Sequence, residues 1–123
     1  MIAVGPVDVR ILNAREPLST GHRYDVRCRS IGARPHPKVT WWIGGQEIRD
    51  GIGYKSSPDG NVTLSTLSFV PSVRDAAARL VCRSGVMGLP ESTLEDTWKL
   101  EVHCKSIYLL VSSSSLIFGF LYS

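Results

Sequence analysis

Two cysteines and a tryptophan carry the strongest chemical signal in this sequence. Cys28 and Cys82 stand 54 residues apart, with Trp41 between them. Each cysteine lies in a stretch where apolar and polar residues alternate. Thiols so placed have two readings. They can join two sheets as a disulfide with the indole packed on it, or stay as the buried, reduced cysteines of an intracellular protein. A bridge closing so long a loop would stabilise the fold by roughly 3–5 kcal/mol if unstrained. That is a large share of the margin of a small domain.

The remaining reactive side chains assemble into nothing familiar. The histidines are His22, His36 and His103, the third cysteine is Cys104, and no CxxC, HExxH or CxxCH spacing occurs. A structural zinc site or metalloprotease centre therefore has no ligand set, and no metal or other cofactor is expected. Serine is abundant, but no G-x-S-x-G elbow, phosphate-binding loop or dinucleotide fingerprint appears. Gly51-Ile52-Gly53 lacks a third glycine and a following helix. His36 sits in a proline-rich turn without a nucleophile nearby. The sequence does not ask for a catalytic residue, and the expectation is a protein that is not an enzyme.

The chain has 123 residues and a net charge of +3, with 43% hydrophobic and 20% charged residues. This is the composition of one globular domain. The mild basicity falls short of the concentrated stripe that nucleic acid requires. Period-two alternation recurs along the chain: Val7, Val9 and Ile11; Tyr24, Val26 and Cys28; Val39, Trp41 and Ile43; Leu67 and Phe69; Leu80 and Cys82; Trp98, Leu100 and Val102. Half-buried strands look like this, because successive side chains face opposite sides of a sheet. Turn residues separate the sets, at Pro17 to Gly21, Gly32 to Pro37, Gly44-Gly45, Pro58-Asp59-Gly60, Pro71 and Gly88 to Pro90. Arg74 to Leu80 offers at most one helical turn. The pattern predicts an all-β antiparallel sandwich of about seven strands, with Trp41, Leu80, Trp98 and Leu100 in its core.

Several outward-phase residues have two readings each. Trp42, out of phase with the core set, is either exposed for binding or covered by a loop or an arginine stem. Arg79 and Arg83 flank Cys82 and, on a sandwich, share the sheet of Trp42, so the three form a candidate partner-binding patch. Arg23, Arg27 and Arg29 form either a solvated strand exterior or a site for a heparan-like polyanion. Asn61-Val62-Thr63 is an N-x-T sequon whose use as a glycan site requires entry into the secretory pathway.

The stretches CRSIGARPHPKVTWWIGG from Cys28, NVTLSTLSFVPSVRDAAARLVCRS from Asn61 and ESTLEDTWKLEVH from Glu91 resemble an immunoglobulin-superfamily domain. More narrowly, the GARP-x-P-x-VTWW and LEDTWKL wording resembles a membrane-proximal-type domain of the arthropod sidestep family, and nephrin-like adhesion receptors more distantly. The resemblance runs from about Gly5 to His103. It implies an immunoglobulin-like two-sheet sandwich, a Cys28–Cys82 bridge, an extracellular setting at the cell surface and a protein partner. For sidestep proteins that partner is typically an immunoglobulin-superfamily protein of the beaten-path type. One departure stands out. Such domains usually carry Asp-x-Gly before the second cysteine and a tyrosine two residues ahead of it. Here Asp75 is followed by three alanines, Leu80 takes the tyrosine's place, and no tyrosine corner can form.

The domain is therefore read as residues 5–103, with 104–123 as an apolar tail outside it. The N-terminus has no basic leader or apolar core and does not read as a signal peptide. From Ile107 to Tyr122 the tail is uncharged. It reads as a truncated or misjoined end, as a membrane segment, or as a lipid-anchor signal without its spacer. Cys104 is either part of that end or a thiol for intermolecular pairing or lipidation. Three functions compete: an extracellular adhesion or recognition module, a spacer domain in a receptor stalk without its own ligand, and an intracellular domain of the cytoskeletal type with reduced thiols.

Overall fold

The computed structural model describes residues 3–103. Cys104 and the apolar segment 107–122, with every reading placed on them, lie outside the described residues. Ten strand segments follow one another along the chain: β1 (Asp8–Ile11), β2 (Leu18–Ser19), β3 (Tyr24–Ile31), β4 (Lys38–Ile43), β5 (Gln46–Ile48), β6 (Ile52–Ser56), β7 (Val62–Phe69), β8 (Arg79–Val86), β9 (Leu89–Lys99) and β10 (Val102–His103). Among the described residues one 3-10 turn, Val73–Asp75, precedes β8. Two antiparallel four-stranded sheets form, in the orders β1-β3-β7-β6 and β5-β4-β8-β9, while β2 and β10 pair in parallel. The sheets pack face to face as a sandwich.

The period-two pattern explains which side of each strand is buried. β3 turns Val26, Cys28 and Ser30 inward, β4 turns Val39 and Trp41, β7 turns Thr63, Ser65 and Leu67, and β8 turns Leu80, Cys82, Ser84 and Val86. Trp98 from β9 and Leu100 beyond it complete the core. Each of these apolar side chains, taken out of water, contributes roughly 1.5–3 kcal/mol.

Three links cross between the sheets, two on one row and the third on the next. The Cys28–Cys82 disulfide is formed, with its Cα atoms 6.5 Å apart. Trp41 lies opposite Cys82 in the β4–β8 register, and Ser65 lies opposite Cys28 in the β3–β7 register. The fully buried indole of Trp41 donates to the Ser65 hydroxyl at 2.9 Å. Two residues beyond each cysteine, the hydroxyls of Ser30 and Ser84 share a buried hydrogen bond of 2.7 Å. These serines occupy inward-phase positions that alternation assigns to apolar side chains, and each finds a partner, as burial of a polar group demands.

The edges are tied separately. Asp96 on β9 accepts the backbone N–H of Ile11 at 2.8 Å and the guanidinium of Arg15 at 2.9 Å, which holds β1 and the following segment against the opposite sheet. The second nitrogen of that guanidinium donates to the Thr97 carbonyl at 2.9 Å. At the turn before β8, the Asp75 carboxylate accepts the Ser72 N–H at 2.8 Å. Ala77, at the position where the resemblance leads us to expect glycine, adopts φ +65°. It is held there by donating its N–H to the Leu100 carbonyl at 3.0 Å, while Leu100 returns a bond to Ala78. Left-handed backbone costs a residue with a Cβ about 1–2 kcal/mol.

More strands form than the alternating sets announce. β2, β5 and β6 are short and lie at edges, where half the backbone faces solvent and apolar alternation is not required. The expected Gly88 to Pro90 turn closes earlier, at Met87-Gly88, so Pro90 falls inside β9.

Three outcomes follow. Alkylation in denaturant without reductant should label neither Cys28 nor Cys82 in peptide mapping; labelling of both would mean that the bridge does not form. Trp41→Phe should lower the unfolding free energy by about 1–3 kcal/mol in a urea titration, because it orphans the buried Ser65 hydroxyl. Ala77→Gly should raise it by roughly 1 kcal/mol, since relief of the left-handed strain exceeds the added freedom of the unfolded chain.

Candidate partner-binding face

The outer face of the β5-β4-β8-β9 sheet is built from the residues out of phase with the core. Trp42 on β4 and Arg83 on β8 meet there. The Arg83 guanidinium stands 4.8 Å from the centroid of the indole. Its Nε also donates to Glu95 of β9 at 3.0 Å, and the indole N–H donates to the Thr40 hydroxyl at 3.0 Å. Both members of the Arg83–Glu95 pair are about half exposed, so it is worth little in itself. The stack of a cation on Trp42 adds about 0.5–1 kcal/mol. The Trp42 ring is half-buried, with the Arg83 guanidinium over its face.

Beside this pair opens a concavity of about 760 Å³. Trp42, Thr40 and Lys38 of β4 form its floor, with Arg83 on one side and Glu47 of β5 on another. Tyr54 reaches in from β6, the edge strand of the other sheet, and its hydroxyl donates to the Val39 carbonyl at 2.8 Å. Shelter of that hydroxyl, and then the nearby Glu47 carboxylate, push its pKa above the ordinary tyrosine value, so it remains a donor. The ring itself is 60% exposed, and Met87 at the β8–β9 turn is 93% exposed on the rim.

Arg79 lies exposed on the same face, opposite Lys99 at the start of β8, and takes no part in the lining of this concavity. Trp41, Leu80, Trp98 and Leu100 are buried in the core. Asn61 is half-buried just before β7, and Thr63 of its sequon faces inward. The Asn61 N–H donates to Asp59 at 3.0 Å, and the Ser57 hydroxyl donates to the same oxygen at 2.7 Å. These two bonds hold the Asp59 carboxyl below its ordinary pKa. His36 is also among the residues that line the concavity. Among the described residues no three His, Cys, Asp or Glu side chains gather as a metal site.

Sequence reasoning missed Tyr54 and Met87. Ile52 and Tyr54 do share the inward phase, a signal hidden by reading Gly51-Ile52-Gly53 as a glycine motif. Gly51 serves instead at φ +78° against the Ser68 carbonyl, where any Cβ would stand only 2.6 Å from that oxygen. Met87 has no periodicity to mark it, because it sits in the turn itself.

Comparison with known proteins places this geometry. In solved structures the same fold recurs in Rst D1-D2 (TM-score 0.69, 21% identity, 81% of this chain and 50% of that one). It recurs in the full ectodomain of mouse nectin-like molecule 4 (TM-score 0.63, 19% identity, 85% of this chain and 36% of that one). It recurs again in the Ig7 domain of Dscam1 isoform 5 (TM-score 0.56, 14% identity, 80% of this chain and 96% of that one). The chain thus spans half or less of the first two structures and matches a single domain of the third. None of the curated proteins compared with the chain matches it. Among the described residues no helix is long and apolar enough to cross a membrane. The model of the CD80-like C2-set immunoglobulin domain matches residues 10–92, and with its bridged sandwich the chain belongs to that family.

Proposed function

We propose that this chain is a recognition module from the ectodomain of a cell-surface adhesion receptor, and that it binds another protein through the face around Trp42 and Arg83. The observation that carries this reading is the open concavity beside the Trp42–Arg83 stack, rimmed by the exposed Met87 and Tyr54 side chains. Tryptophan, tyrosine and arginine are the types most enriched where interfaces concentrate their energy. A well-exposed methionine adapts to irregular partner surfaces. A bridged pair of cysteines belongs to an oxidising, extracellular compartment, and the similar folds of Rst, nectin-like molecule 4 and Dscam1 supply the class.

The finer proposals rest on the sequence wording. The GARP-x-P-x-VTWW and LEDTWKL stretches support a sidestep-type receptor, whose partner would be an immunoglobulin-superfamily protein of the beaten-path type. Residues 5–103 would be the module, Arg79 an outlying member of the face, and Asn61 a glycan site after secretion. Single modules of this kind bind weakly and gain strength by multiple contacts between membranes.

One observation favours the spacer reading instead. Arg83 covers the Trp42 ring and is itself tied to Glu95, which leaves less of the indole for a partner. Partner binding separates the two. Met87→Glu and Arg83→Ala should each weaken binding to cells bearing the partner, or to its purified ectodomain, by about 1–2 kcal/mol. Arg74→Ala, away from the concavity, should leave it unchanged. Binding indifferent to both substitutions would favour the spacer.

A further inference from the structure

We infer that the opposite face of the sandwich, the exterior of the β1-β3-β7-β6 sheet, is a docking site for a linear sulfated polysaccharide. The strand registers place Arg10 opposite Arg29, Arg29 opposite Leu64, and Leu64 opposite Lys55. One row across all four strands therefore carries three cations, spread over about 14 Å at the usual strand spacing. Arg27 stands on the adjoining row, two residues from Arg29. All four side chains point outward, in the phase opposite to the core.

Two features set this row apart from an ordinary solvated exterior. Arg10 and Arg29 face each other directly, an arrangement of like charges that destabilises a sheet without a counter-charge. Asp8 is shared between them at 3.7 and 3.9 Å, too far for a hydrogen-bonded pair with either. Asp25, the one acid of β3, is engaged by the Ser68 hydroxyl at 2.6 Å. In addition, the Nε of Arg29 is buried and has no hydrogen-bond partner among the described residues. An edge lysine that discourages strand pairing would account for Lys55 alone; it does not account for the arginine pair.

Charge complementarity selects the occupant. Guanidinium forks bind tetrahedral oxyanions in bidentate fashion, which suits sulfate groups. A flat row crossing the strands suits an extended chain. The disulfide places the face in an oxidising compartment, where sulfated polysaccharides, rather than nucleic acids, are the abundant linear polyanions. This site lies on the other sheet from the partner-binding face and does not depend on it.

The test uses the full chain with its disulfide intact and heparin as the probe, at about 0.15 M salt, where weak surface charge effects are screened. Wild type should bind heparin and lose about tenfold or more on Arg10→Gln/Arg29→Gln, the loss expected for charge-assisted contacts. Arg49→Gln/Arg74→Gln removes the same charge elsewhere and should change affinity by no more than about twofold. Arg27→Gln/Lys55→Gln alters only exposed positions and should weaken binding comparably to the first pair, which guards against misfolding of the Arg29 variant. Equal losses for the control pair, retention of desulfated heparin as strongly as heparin, or a preference for polyglutamate would overturn the assignment.

Discussion

Everything in this molecule depends on the link between Cys28 and Cys82, and that link does not act alone. Its two cysteines and two neighbours form a rectangle. Trp41 and Cys82 are neighbours in one sheet, Ser65 and Cys28 are neighbours in the other, and each member of one pair is joined to a member of the other. A covalent tie and an indole hydrogen bond therefore fix the same spacing side by side. The Ser30–Ser84 bond repeats the spacing two residues further on. Buried hydroxyls are expensive when unpaired, so each of these contacts also selects against any packing in which the sheets slide. The core is specified as well as stabilised.

The sandwich then needs its edges closed, and it uses polar devices for this. Asp96 fastens β1 to β9, the β2–β10 pair ties the start of the chain to its last described strand, and Tyr54 spans from β6 to the carbonyl of Val39. Because closure is handled at the rims and along the central row, the two outer faces are released from structural duty. They diverge accordingly. One carries an aromatic and methionine-rimmed hollow, and the other a row of cations. A fold of this kind holds such patches without dictating them.

Strand alternation made the architecture legible before any coordinates, because period two is a property of the pleat itself. The cysteines, Trp41, Leu80, Trp98 and Leu100 all stand in phase with apolar neighbours, and all are buried. The serines were opaque for the same reason: Ser30, Ser65 and Ser84 occupy inward phase, yet hydropathy alone cannot say that three hydroxyls will find partners across the sheets. Edge strands β5 and β6 were opaque because their burial is partial. The candidate face was half visible. Trp42 and Arg83 could be placed on one sheet from their phases, but the register that brings them together, and that leaves Arg79 aside, is set by pairing partners distant in sequence. Tyr54 comes from the other sheet altogether, and only the three-dimensional closure puts it beside β4.

The adjacent tryptophans show why a rigid staple and a variable surface belong together. Trp41 and Trp42 are chemically alike and differ by one residue, yet one is fully buried and the other stacks beneath an arginine on the outside. A slip of one residue in β4 would exchange them, along with every other side chain on the strand. Nothing local to the doublet prevents that exchange, since both positions favour strand and both indoles gain from burial. What prevents it is the fit of residue 41 opposite Cys82 and within reach of Ser65. The interior thus decides which indole the surface receives, and any recognition by this face is a consequence of how the sulfur bridge is packed.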